Sequence, residues 1–261
     1  MHATINTDRV ARAFHRNHAT YDQHAIVQRE MARALIAPLR DYCPHRLDRV
    51  LELGCGTGLV TRELADAFDL GACTVNDLVP DLAENAADFL RRGGAGPVAC
   101  LPGDIEAITE FPAAQSLIIS GATFQWLRDT ARFLLRITAH LRPGGLLAFS
   151  TFGPENLREL RNATGIGLPY PPLDSLRAIL AGSMEVLVAR EWRHPLRFDS
   201  ALDVLRHLRK TGVNGLAECR WTPRQLNRFC AEFERSHPFD GGVALTYHPI
   251  VIIARKPGQV V

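Results

Sequence analysis

Apolar residues recur along this chain in two alternating textures, a helical spacing and a short unbroken run, and that alternation predicts its order of elements. Asp22 to Arg40 places Ile26, Val27, Met31, Leu35 and Ile36 at helical spacing, with Pro38 near the end. Arg49 to Leu53 is a compact apolar run stopped by Gly54, Gly56 and Gly58, and Leu59 to Phe68 returns to helical spacing. Ala72–Asn76, Pro97–Leu101, Ser116–Ser120 and Leu146–Thr151 read as further strands. Between them lie helices over Val79–Arg92 and Thr123–Leu141, the second stopped by Arg142-Pro143-Gly144-Gly145. Strands that are apolar throughout need a sheet covered on both faces, and right-handed crossovers then give an open, doubly wound, mostly parallel α/β sheet. Ligands of such sheets sit outside the carboxyl ends of the strands.

The texture changes after Thr151. Glu155–Thr164 and Leu173–Ala181 read as helices around the loop at 165–172, and Glu185–Phe198 has β-like stretches. Ala201–Lys210 is helical with a stop at Gly212, and Thr222-Pro223 opens a helix to about Arg235 with Thr as N-cap. Ala244–Ala254 is a Val- and Ile-rich strand. The expected organisation is a single domain: an N-terminal helical segment (1–42), a ligand-binding core (43–152), a helical cap insertion (153–215), and a final helix and strand (216–261).

Composition narrows the class. The 261 residues are 46% hydrophobic and 22% charged, which excludes disordered and fibrous chains. Thirty Lys and Arg against 28 Asp and Glu leave a net charge of +2, too little to hold nucleic acid by charge alone. The six cysteines form no CxxC pair and read as reduced thiols. No leader-like or membrane-length apolar run occurs, so a soluble, cytoplasmic protein is expected. The histidines near the N-terminus, His15, His18 and His24, lack the i, i+4 pairing of a helical metal site, and no metal is expected.

The chemistry centres on Val50-Leu51-Glu52-Leu53-Gly54-Cys55-Gly56-Thr57-Gly58, a strand running into a glycine turn and then a helix. A dinucleotide fingerprint would need glycine at position 59, where Leu59 stands, and a phosphate loop would need Gly-Lys-Ser/Thr. The loop therefore suits a ligand packed on backbone without a pyrophosphate. Asp77 ends the second strand, where a carboxylate can accept from both hydroxyls of a ribose, and Asp104 after the third can accept from an exocyclic amine. Together they describe a site for an adenosine-bearing ligand.

These motifs, with Gly103-Asp104-Ile105 and Leu141-Arg142-Pro143-Gly144-Gly145, resemble those of class I S-adenosylmethionine-dependent methyltransferases over roughly residues 20–152. The resemblance implies a seven-stranded, Rossmann-like sheet and S-adenosylmethionine as cofactor. It places Glu52, Gly54, Cys55, Gly56 and Gly58 around the methionine part, Asp77 on the ribose, and Leu78, Asp104 and Ile105 at the adenine, with Ser120 also at the cofactor. Gln125 and Trp126 would face the substrate. The outer segments, Phe14 to Gln28 and Phe198 to Gly212 with Leu226 and Phe229, resemble malonyl-acyl carrier protein O-methyltransferases of biotin synthesis. In that comparison Tyr21 and Gln28 cover the cofactor, and the reaction esterifies the free carboxylate of a malonyl thioester carried by an acyl carrier protein. Other readings are a methyltransferase acting on a dicarboxylate or other metabolite, and a non-catalytic S-adenosylmethionine-binding partner.

A carboxylate is already ionised at neutral pH, so no general base is required. An arginine should orient it through a paired contact, with Arg128, Arg158, Arg161, Arg193 and Arg197 as candidates. Residues 190–210 carry six basic side chains against three acidic ones, an expected landing patch for an acidic carrier protein.

Overall fold

The computed structural model describes residues 6–211 and 221–258, so the expected stop at Gly212, Cys219 and the side chain of His18 lie outside what is described. Its helices are α1 (Thr7–His24), α2 (Ile26–Ile36), α3 (Leu59–Ala67), α4 (Pro80–Arg92), α5 (Thr130–Thr138), α6 (Arg158–Thr164), α7 (Leu173–Ala181), α8 (Ala201–Lys210) and α9 (Pro223–Ser236). Its strands are β1 (Arg46–Leu53), β2 (Asp69–Asn76), β3 (Val98–Cys100), β4 (Gln115–Gly121), β5 (Leu141–Phe152), β6 (Glu185–Glu191), β7 (His194–Phe198), β8 (Pro238–Phe239), β9 (Gly242–Tyr247) and β10 (Pro249–Arg255).

The unbroken apolar runs form the parallel part of a seven-stranded sheet of order β3-β2-β1-β4-β5-β10-β6. The pairs β1–β2, β1–β4, β2–β3 and β4–β5 are parallel, and β6 runs antiparallel to β10. This is the doubly wound, mostly parallel sheet expected. Leu51, Ile118, Leu147 and Ile252 on its central strands are fully buried, with Phe133 and Ile137 of α5 and Leu176 and Leu180 of α7 packed in the same cluster.

The chain folds into two compact units. One consists of residues 28–151, 172–191 and 250–261 and holds the large sheet; the other consists of residues 1–27, 152–171 and 192–249. In the second unit β9 lies between β7 and β8, and α8 packs on α1 and α9. Segment 172–191, expected in the cap insertion, belongs to the sheet unit because Leu176, Leu180 and Met184 join the sheet's own hydrophobic cluster.

Five expected elements differ in their bounds. The N-terminal helix begins at Thr7, ahead of the expected Asp22, and breaks at buried Ala25 between α1 and α2. The long helix over Thr123–Leu141 shrinks to a short 3-10 turn at Phe124–Trp126 and then α5, whose first turn is capped by Asp129 accepting from the Arg132 N–H at 2.9 Å. Arg142-Pro143-Gly144-Gly145 lies within β5: the Gly144 N–H donates to the Lys256 carbonyl, and a Cβ on Gly145 would meet the Gln115 carbonyl at 2.7 Å. Finally, Ala244–Ala254 and Glu185–Phe198 each divide between the two sheets, at His248 and near Trp192. A strand pattern does not reveal which sheet a strand joins.

Candidate functional site

The parallel register sets Leu53 beside Asn76, so the turns leaving β1 and β2 emerge side by side at the carboxyl edge of the sheet. Gly54, Gly56 and Gly58 all adopt left-handed backbone, at φ 67°, 54° and 84°. Two of them have separate reasons to be glycine. A Cβ on Gly54 would lie 2.3 Å from Thr123 Oγ1, whereas Gly56 faces open space, so its backbone is bare to a ligand.

The loop is pinned from β2. The Gly54 N–H donates to Asn76 Oδ1 at 3.2 Å, the Cys55 N–H to the Asn76 carbonyl at 2.9 Å, and the Gly56 N–H to Asp77 Oδ2 at 2.8 Å. The other Asp77 oxygen accepts from the Val79 N–H at 2.8 Å. Asp77 is thus a fixed acceptor at the mouth of the turn, and burial raises its pKa above the usual carboxylate range despite these N–H donors. Asn76, which the sequence reading passed over, also donates to the Leu101 and Gly103 carbonyls at 2.6 and 3.0 Å. A buried amide just before an acid at a strand end, with four polar valences to satisfy, is the signal that marks it.

Glu52 is only 2% exposed. Its Oε2 accepts from Thr61 Oγ1 at 2.8 Å, while Oε1 is buried with no hydrogen-bond partner. Burial pushes its pKa up to about 7. An orphaned carboxylate oxygen under a glycine turn fits a cationic group such as an α-ammonium, which would supply the missing donor.

Other expected cofactor residues have different surroundings. The Asp104 carboxylate accepts from the Glu106 N–H at 2.9 Å and pairs with Arg128 at 2.8 Å, so the acid expected at the adenine is already held by a cation. Ile105 is buried in the sheet unit's core, Leu78 is half-buried beside Asp77, and Gln28 of α2 is buried. One expectation needs correction. Ser120 is 0% exposed and its hydroxyl donates to the Leu53 carbonyl at 2.8 Å, so it ties β4 to β1 and offers no surface to a ligand. The Cys55 thiol points to the Leu82 carbonyl at 3.7 Å and burial raises its pKa, which leaves only its backbone for the loop. The described cysteines, Cys43, Cys55, Cys73, Cys100 and Cys230, carry free thiols.

Of the residues expected to face the substrate, Gln125 donates to the Ala122 carbonyl and its Oε1 accepts from Thr151 Oγ1 at 3.5 Å; Trp126 is half-buried in the same turn. The arginine candidates separate clearly. Arg128 is spent on Asp104 and Glu106, the latter at 2.8 Å. Arg161 donates to the Pro154 carbonyl at 2.6 Å, and Arg197 to the Asp240 carbonyl at 2.6 Å and to Asp199 at 2.7 Å, a brace for the turn between β8 and β9. Arg158 and Arg193 converge on one carboxylate, Glu155, with Arg158 Nη1 and Arg193 Nε each 2.7 Å from it. Tyr21 lies on α1 against Phe14, ring centroids 5.9 Å apart. Tyr21, Arg158, Arg193 and Arg197 belong to the second unit, and the glycine turn with its acids to the sheet unit. No helix among the described residues is long and apolar enough to cross a membrane.

The strand order, the left-handed glycine turn and the acids at successive strand ends define a class I S-adenosylmethionine-dependent methyltransferase. Residues 51–149 match a family described as a methyltransferase domain. The N-methyltransferase NodS of Bradyrhizobium japonicum, solved with S-adenosyl-L-homocysteine, shares the fold at a TM-score of 0.54 and 14% identity, covering 96% of this chain and 100% of that one. The malonyl-[acyl-carrier protein] O-methyltransferase of Chlorobium phaeovibrioides is 38% identical over 95% of each chain, and that of Bacteroides thetaiotaomicron 37% over 98% of this chain and 99% of its own. This chain belongs to the malonyl-[acyl-carrier protein] O-methyltransferase family.

Proposed function

We propose that this protein methylates the free carboxylate of a malonyl thioester borne by an acyl carrier protein, the esterification that masks a charge at the pimeloyl stage of biotin synthesis. The observation that carries the reading is the likeness to enzymes of that name over nearly the full chain, second unit included, at 38% identity. The glycine turn alone would suit many methyl acceptors.

Bound S-adenosylmethionine supplies an electrophilic methyl group on a sulfonium. The chain's part is binding and alignment. In this reading Gly54, Cys55, Gly56 and Gly58 receive the methionine part through backbone, Glu52 accepts from its ammonium, and Asp77 accepts from the ribose hydroxyls. Leu78, Asp104 and Ile105 border the adenine, Tyr21 and Gln28 cover the cofactor, and Gln125 and Trp126 face the acceptor. Arg158, Arg193 and Arg197 are the arginines assigned to the substrate carboxylate, which would have to replace the acids they now pair with, Glu155, Glu159 and Asp199. The acceptor oxygen needs no proton removed, so rate comes from in-line placement and exclusion of water.

Transfer of radiolabelled methyl to malonyl-carrier protein, run beside malonyl-CoA and free dicarboxylates, tests the reading. Labelled malonyl-carrier protein is expected. Transfer to the free acids alone, or to none of the acceptors, overturns it.

A further inference from the structure

The sequence draws attention to the basic stretch at 190–210, yet the structure shows much of that charge already neutralised. Arg193 pairs with Glu155, Arg197 with Asp199 at 2.7 Å, and Arg206 with Asp203 at 2.8 Å. Uncompensated positive charge gathers on α9 instead. Leu226, Phe229 and Phe233 turn one side of this helix inward. At 100° per residue, Arg224, Arg228 and Arg235 fall on the opposite side, and all three are exposed. Among the described residues no carboxylate pairs with any of them, nor with Arg209 on the packed neighbour α8. Arg224 and Arg228 repel each other at i, i+4, while exposed Glu232, four residues after Arg228 and three before Arg235, offsets part of the charge.

The stripe is short, spanning about 16 Å from Arg224 to Arg235 at the helical rise per residue. Large apolar side chains lie exposed at its far end. Leu202 follows Ala201, whose N–H donates to Glu234 Oε1 at 3.0 Å, and Phe239 comes just after the helix; they are 37% and 39% exposed. A short cationic stripe with exposed apolar side chains at one end suits a protein partner that brings both acidic and apolar groups. A nucleic-acid track calls for a longer run of cations without the interspersed Glu232 and Glu234.

We propose that the outward face of α9, with Arg209 of α8 and the exposed Leu202 and Phe239, is the docking surface for an acidic protein partner. Resting on the function proposed above, that partner is the carrier protein that presents the malonyl thioester. Charge complementarity of this kind acts mainly on encounter and on KM, and weakens with salt.

The test compares the wild type with an R224E/R228E/R235E variant on malonyl-carrier protein and on malonyl-pantetheine, the same thioester without the protein. At low ionic strength the variant is expected to raise KM for malonyl-carrier protein about tenfold or more at unchanged kcat. It should leave malonyl-pantetheine unaffected and lose the salt dependence of the wild type. An unchanged KM on the carrier protein, or an equal loss on both acceptors, overturns the docking proposal while leaving the methyl-transfer reading intact. If the wild type methylates neither acceptor, the substrate reading falls, and calorimetric binding of the carrier protein decides the surface. Weaker binding by the variant supports it, and equal or absent binding overturns it. Arginine-dependent binding of anionic vesicles or of a nucleic-acid duplex, with no effect on the carrier protein, likewise overturns it.

Discussion

Glu52 carries an orphaned, buried oxygen in the sheet unit, and burial raises its pKa. One carboxyl oxygen accepts from Thr61, the other faces nothing, and the pKa is pushed from 4.5 up to about 7. The folded protein therefore holds a proton here that the unfolded chain gives up between about pH 4.5 and 7, so stability falls as pH rises through that window. Glu52→Gln is expected to raise the melting temperature of the ligand-free protein at pH 8, by up to roughly 3 kcal/mol of stability. The gain should vanish near pH 4.5, while affinity for S-adenosylmethionine falls. A gain independent of pH in a melting series would show that ionisation is not the cause. At this scale the sequence was informative where spacing carried the chemistry: three glycines two residues apart after an apolar run, then an acid at the next strand end. It was silent where a neutral side chain does the holding. Asn76 and Thr123 fix the turn and Ser120 joins two strands, yet a hydroxyl or amide in a sequence does not declare its partner.

Among the elements, α8 carries a second buried titratable group. His207 Nε2 lies 2.8 Å from the Tyr247 hydroxyl, with the Phe198 ring 5.1 Å away and His24 and Lys210 as nearby charges. Burial, with the positive neighbours, lowers its pKa to about 4. In the unfolded chain it would take up a proton near pH 6.5, so stability is lost as pH falls from about 6.5 toward 4. His207→Asn is expected to lower stability at pH 8 by a margin that shrinks as pH falls from about 6.5 toward 4, read as the difference between variant and wild-type denaturant midpoints. A variant whose stability deficit stays the same at every pH from 8 to 4 would contradict the assignment. The sequence predicted α8 correctly because its apolar positions repeat at helical spacing, whereas α1 escaped notice with few apolar anchors. The helix expected over Thr123–Leu141 failed for a related reason. Phe124, Leu127, Leu134 and Ile137 keep one period across a break that only Asp129, as an N-cap, marks.

For the whole molecule, the parallel half of the sheet was legible because its strands are short, apolar and separated by helices. The division into two units was not, since both are discontinuous and their boundaries fall inside apparently continuous β runs at Trp192 and His248. Net charge was equally uninformative: the value of +2 averages over arginines bound to carboxylates and arginines that are not. A chain ended after Pro249 would lack β10, leaving β5 and β6 without the strand that joins them. Such a truncation is expected to yield insoluble protein with no cooperative melting transition, and a soluble product with a sharp transition would refute that expectation.

The position of β10 also has a consequence for synthesis. It lies between β5 and the edge strand β6, yet it is synthesised only after α6, α7, α8 and α9 have followed β5. At ordinary elongation rates, roughly 5 to 20 s pass between the emergence of β5 and of its neighbour. Throughout that interval the nascent chain carries a long, apolar, unpaired strand edge. That edge is the segment on which chaperone protection during translation should concentrate.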